Sequence, residues 1–188
     1  MQVEFRITRF ILFSQYRKFC NMDAPQKHGM IRTEMTQDMT VTRFEGTQLI
    51  VETGSNREVY DAKFLVAALL VSIANSDGEI SAIETQKMLQ LVGEHFELKS
   101  SESLELLTGA MEDLAENPDL TEILKELASV LTSVDKEDVA VMMFKVVGAD
   151  GREATEEMET LYAAAEMIGL TPESVQKARN RYFADRSG

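Results

Sequence analysis

Two stretches of this chain are apolar on nearly every side, and both run into the same two-residue stop. Phe64, Leu65, Ala67, Ala68, Leu69, Val71 and Ile73 leave no polar face before Asp77-Gly78. Val139, Val141, Met142, Met143, Phe144, Val146 and Val147 repeat the arrangement before Asp150-Gly151. A helix that is apolar all round belongs at the centre of a bundle, because any outward side would expose hydrocarbon to water. Glycine then ends the helix by entering the left-handed conformation that most residues avoid. Seven residues after each Asp stands a glutamate, Glu84 and Glu157, and the two units lie 73 residues apart. With the central helices side by side, the loops are expected to bring their acids together at one end of the bundle.

The rest of the C-terminal region reads as helices with short connections. Ser81-Ala82-Ile83-Glu84 is a capping box, Ser81 accepting from the helix amides and Glu84 reaching back. The helix after it turns Met88, Leu89, Leu91 and Val92 inward. A third helix, capped by Ser100 or Ser101, is expected to bury Leu104, Leu106, Leu107 and Met111. Asn117-Pro118-Asp119 breaks the chain before a fourth with Leu120, Ile123, Leu124, Leu127, Val130 and Leu131. The second apolar helix starts near Asp135, and the sixth carries Met158, Leu161, Tyr162, Ala165 and Ile168 up to Gly169. Thr171-Pro172-Glu173 opens the last with a cap, a proline at the first helical position and an early acid. The expected fold is an all-α bundle of about seven helices over residues 60–188, with two pseudo-repeated Asp-Gly helix-loop-helix units.

Residues 1–59 form an N-terminal extension of different character. Residues 1–20 carry four basic side chains and Glu4 among Phe5, Ile7, Phe10, Ile11, Phe13, Tyr16 and Phe19. This suits a segment that lies on a membrane surface or a partner, so residues 1–21 are a candidate for peripheral membrane association. A second reading makes Met22 or Met30 the native start. Residues 21–38 are polar, contain Pro25 and Gly29, and read as a linker. Residues 39–53, rich in Thr, Val and Ile around Gly46, read as a short hairpin or a loose extension on the helical domain.

Charge separates the two regions and excludes some functions. Residues 1–60 hold 8 Lys/Arg and 7 Asp/Glu, whereas residues 61–188 hold 11 Lys/Arg and 25 Asp/Glu. A domain at net −14 repels nucleic-acid phosphates and attracts cations or basic partners. Cys20 is alone, so neither an internal disulfide nor a cysteine-based zinc site is available, and a reducing, cytoplasmic setting is expected. No apolar run approaches the roughly 20 residues of a membrane helix. His28 falls in the linker and His95 near a helix end, with no nucleophile beside either, so no catalytic residue is expected. Met88, Met111, Met142, Met143, Met158 and Met167 read as core fillers, with Met143 or Met167, if exposed, lining a groove for a partner.

The first loop unit is Ala67-Ala68-Leu69-Leu70 leading to Asp77-Gly78-Glu79-Ile80-Ser81-Ala82-Ile83-Glu84. The second is Val146-Val147-Gly148-Ala149-Asp150-Gly151 leading to Glu157, and Met167-Ile168-Gly169-Leu170-Thr171 follows near the end. Together these resemble the TerB-like family of tellurite-resistance proteins over residues 60–183. The resemblance implies a non-enzymatic, stress-response or interaction module, with a divalent-cation site at the paired acidic loops. By the same resemblance the ligands are Asp77, Glu79, Glu84, Asp150 and Glu157, oxygen donors suited to Ca²⁺ or Mg²⁺. Neither loop has the twelve-residue EF-hand spacing, so weak binding is expected. A similar domain occurs in a membrane-anchored co-chaperone, which gives an alternative role as a regulatory domain of a membrane-associated complex.

The second loop departs from the pattern. Arg152 stands where an acid is common, Glu153 replaces the aliphatic Ile80, and Ala154 replaces the capping Ser81. Arg152 is therefore a candidate to pair with Asp77 or Glu79 in place of a cation. Plain capping accounts for the same acids, since Asp-Gly ends helices and glutamates favour helix N-termini. A further reading, acid–base hydrolysis by two of the loop carboxylates, requires a cleft and a carboxyl of raised pKa. Protein partners are expected on the acidic surface, and homo-oligomerisation stays open.

Overall fold

Asp61 opens the bundle. Its side chain accepts hydrogen bonds from the backbone N–H groups of Lys63 and Phe64, both at 3.0 Å, and so starts helix α1 (Ala62–Ala74). The computed structural model describes residues 40–53, 55–116, 120–151 and 154–186. The basic aromatic segment 1–20, the linker 21–38, and Arg152 with Glu153 lie outside them. Six further helices follow α1 among the described residues: α2 (Ala82–Phe96), α3 (Ser100–Glu116), α4 (Leu120–Ala128), α5 (Ser133–Val147), α6 (Thr155–Met167) and α7 (Pro172–Arg186). The all-α expectation holds, with a small sheet added ahead of it.

The two apolar helices take the centre. Ten of the thirteen residues of α1 are buried, and so are eight of the fifteen in α5. The two pack on each other, and α2 and α6 each pack on both of them. Helix α3 lies against α1 and α2, and α7 lies against α5. The 73-residue offset carries α2 onto α6 from the first residue, Ala82 onto Thr155. It also carries buried Met88 onto Leu161, Leu91 onto Ala164 and Val92 onto Ala165. The fold therefore repeats a three-helix unit, α1–α2–α3 and α5–α6–α7, with α4 between.

Several expectations about single side chains are corrected. Leu104 and Met111 are 54% and 46% exposed, because their positions on α3 face away from the Ser103, Leu107 and Ala110 side that packs inward. Tyr162 is likewise exposed. Met143 is fully buried in the core and lines no surface groove, whereas Met167 is half-buried. Ser100 and Ser101 do not cap α3; they fall within the helix, and the Glu102 carboxylate accepts from the Lys99 N–H at 2.8 Å instead. Helix α5 begins two residues before Asp135, which is the return partner of a capping box with Thr132.

Residues 40–60 form a three-stranded antiparallel meander, one strand more than the hairpin reading: β1 (Thr40–Glu45), β2 (Gln48–Thr53) and β3 (Asn56–Tyr60). Gly46 takes φ +66° in the two-residue loop between β1 and β2. Leu49 and Tyr60 are paired in register and enter the helical core together, with the Tyr60 and Phe64 rings 4.6 Å apart. Arg43 bonds Glu52 at 2.7 Å on the opposite face, where Ile50 is also buried. Among the described residues no helix is long and apolar enough to cross a membrane.

A candidate carboxylate site between the two loops

Each loop is shaped by its own hydrogen bonds. After α1, the Asp77 Oδ1 accepts from the Glu79 N–H at 3.0 Å, and Gly78 turns the chain at φ +91°. Ser81 then caps α2: its hydroxyl accepts from the Glu84 N–H at 3.2 Å, and Glu84 Oε2 accepts from the Ser81 N–H at 2.7 Å. After α5, Gly151 turns at φ +81°. Ala154 has no side-chain acceptor, so only half of the box survives there, the Ala154 N–H donating to Glu157 Oε2 at 3.3 Å.

This capping points both glutamates inward. Glu84 and Glu157 are each only 5% exposed, and they are hydrogen-bonded to each other across the pseudo-repeat. Two carboxyl groups bond only if one of them carries a proton. The Glu157 carboxyl is pushed up to about 7, first by burial and then by its bond to Glu84. The Ala154 N–H works against that rise, and the negative charges of Glu84 and Asp150 add to it.

A cleft of about 270 Å³ opens over the pair, lined by Asp77, Glu79, Ser81, Glu84, Asp150, Ala154 and Glu157. The structure thus brings all five acids named from the sequence to one site. Glu84 and Glu157 form its floor, and the exposed Asp77, Glu79 and Asp150 its rim. Among the described residues, no Lys, Arg or His side chain is ion-paired with Asp77, Glu79, Glu84 or Glu157. The suggested partner Arg152 lies outside the described residues. By donor chemistry the site fits a hard cation, since it offers only oxygens and concentrates negative charge. The acids line the cleft without closing into a coordination shell: among the described residues no three His, Cys, Asp or Glu groups are gathered tightly enough to hold a metal ion.

The meeting of Glu84 with Glu157 was within reach of the sequence, since both stand seven residues after an Asp at the 73-residue offset. Their burial was not, because it depends on how α2 and α6 lean on the two central helices. Ser81 and Ala154 also line the cleft, and nothing in their residue types marks them as site residues.

A search among curated proteins finds no significant match. Among solved structures, the chain is similar to the crystal structure of PG1108, a protein of unknown function from Porphyromonas gingivalis W83. The two share 18% identity over 70% of this chain and 96% of that one, with a TM-score of 0.49. The profile of the family described as Tellurite resistance protein TerB matches residues 63–180, which takes in both Asp-Gly loops and both glutamates of the floor. The chain belongs to the TerB family.

Proposed function

We propose that the domain is a non-enzymatic binding module of TerB type. In this reading it serves a cytoplasmic stress response through a protein partner, and its paired acidic loops take up a divalent cation, Ca²⁺ or Mg²⁺, weakly. Glu84 and Glu157 would be the inner ligands, with Asp77, Glu79 and Asp150 closing from the rim. The observation that carries the reading is the pair of buried carboxyl groups, one from each repeat, facing each other beneath three more acids. Burying two like-charged groups together destabilises a fold unless a proton or a cation lies between them. A bound cation would replace the shared proton and neutralise the floor.

The raised Glu157 also meets one requirement of an acid–base enzyme. The size and lining of the cleft argue against that use. At about 270 Å³ it is small beside ordinary substrate pockets, and five of its seven lining residues are acids.

Titration of the full chain with Ca²⁺ and Mg²⁺ at pH 8, followed by amide NMR, tests the proposal. Saturable shifts are expected at Asp77, Glu84, Asp150 and Glu157, with an affinity of roughly 10⁻⁴–10⁻³ M. The double variant E84Q/E157Q should stay folded and lose them. Absence of shifts at these residues in the parent protein sinks the cation site.

A further inference from the structure

The outer face of α3 combines exposed apolar side chains with charge of one sign. Leu104 and Met111 stand two helical turns apart and are the exposed large apolar side chains of this helix. Ser101, Thr108 and Ala115, all uncharged, continue the same stripe. The helix carries Glu102, Glu105, Glu112, Asp113 and Glu116 and no Lys or Arg. Glu105 and Glu112 border the stripe on one side by helical spacing.

The placement of three of these acids opposes stability. Glu112, Asp113 and Glu116 fall near the C-terminal end of α3, where the helix dipole is already negative, and the last turn has no basic residue. Asp113 is held above the usual carboxylate range by burial and by the charges of Glu58, Glu116 and Glu112. Among the described residues no Lys, Arg or His is ion-paired with these acids, and an apolar stripe beside such negative charge is complementary to a cationic, amphipathic surface.

We infer that the outer face of α3 is the docking surface for a cationic amphipathic helix of a partner protein. Leu104 and Met111 are the apolar anchors, and Glu105, Glu112 and Glu116 face the partner's lysines and arginines. The helical form of the ligand follows from the spacing: anchors at i and i+7 are about 10 Å apart, the distance at which a second helix repeats its own apolar positions. The net −14 of residues 61–188 draws such a segment in from a distance, and the stripe fixes where it lands. This inference rests on reading the domain as a binding module, but it does not use the cation site, so the ion titration and the test below fail independently.

The probe is a fluorescein-labelled Leu/Lys model peptide of 17 residues, the length of α3, with leucines at helical spacing. Its binding to the full chain is followed by anisotropy, and its position by amide shifts. Shifts concentrated on α3 are expected. L104Q/M111Q, which alters only exposed side chains, should weaken binding about tenfold, as loss of central anchors does. E105Q/E112Q/E116Q should weaken it and flatten its salt dependence. E156Q/E159Q, on the exposed side of α6, should change it less than about twofold. The inference is overturned if L104Q/M111Q binds like the parent, if the α6 variant loses as much as the α3 variant, or if no binding occurs. It is also overturned if sedimentation shows a dimer of the full chain that L104Q/M111Q dissolves, since the face would then belong to a second copy.

Discussion

At the scale of single residues, the decisive group is Glu157. Its carboxyl sits at about 7 against an ordinary value of 4.5, so the folded chain holds a proton that the unfolded chain has already released across that interval. The stabilisation is full below pH 4.5 and is lost as pH rises through about 7. Chelator-treated protein should therefore be less stable at pH 8 than at pH 5, by on the order of 1–3 kcal/mol from Glu157. Glu157→Gln tests the cause. A glutamine keeps an oxygen for the Ala154 N–H and offers a permanent N–H to Glu84, so the variant should be the more stable protein at pH 8. Urea melts at the two pH values, with EDTA present, measure both effects. An E157Q variant with the same pH dependence as the parent would assign the slope to other groups. The two glutamates were legible from their spacing, but the raised carboxyl of Glu157 was not. It requires two chain segments to meet, and side-chain type alone does not say that they will.

At the scale of elements, the end of α5 and the body of α7 are fitted through one glycine. Gly148 has ordinary backbone angles, so conformational freedom is not why it stands there. A methyl group at that position would overlap the hydroxyl of Tyr182. The same hydroxyl accepts from Arg186 at 2.7 Å, and the Tyr182 ring stacks on Phe144 with centroids 6.0 Å apart. Gly148→Ala should push α7 off α5 and cost about 1–3 kcal/mol in thermal or urea melts. Tyr182→Phe in the same chain should recover part of the loss by removing the clashing oxygen. If G148A melts like the parent, α7 is less tightly seated than the packing implies. Elements were legible where periodicity and caps agreed, as with Ser81 and Glu84 before α2, or Thr171 and Pro172 before α7. They were illegible where partners decide. Strand β3 reads Asn-Arg-Glu-Val-Tyr, a poor strand by composition, and it is held by pairing with β2 and by Arg57 reaching Glu45 at 3.2 Å. Leu104 and Met111 looked like core because apolar spacing shows an apolar side without showing which way it faces.

At the scale of the whole molecule, the repeat is structural and not autonomous. The sequence pattern announced two units, and the structure arranges them so that neither can bury its central helix alone. Helix α1 is covered by α2, α3 and α4 from its own half and by α5 and α6 from the other. Its buried residues include Leu65, Val66, Leu69, Leu70 and Ile73, each at most 2% exposed. A fully buried aliphatic side chain contributes roughly 1.5–3 kcal/mol, so losing even part of the cover over a few of them rivals the roughly 5–15 kcal/mol by which whole domains are stable. A fragment ending at Leu131 keeps the sheet and α1–α4 but strips the α5 and α6 side of α1. It should show reduced helicity by circular dichroism, strong binding of a hydrophobic dye and no cooperative melt. The complementary fragment from Thr132 should behave the same way, because α5 would lose the cover of α1 and α2. Mixing the two should restore helicity and the cooperative transition, and with them the facing Glu84 and Glu157, which no single half contains. A sharp melt from either fragment alone would mean that the repeats are independent domains, and the carboxylate pair would then be a contact between domains rather than part of one core.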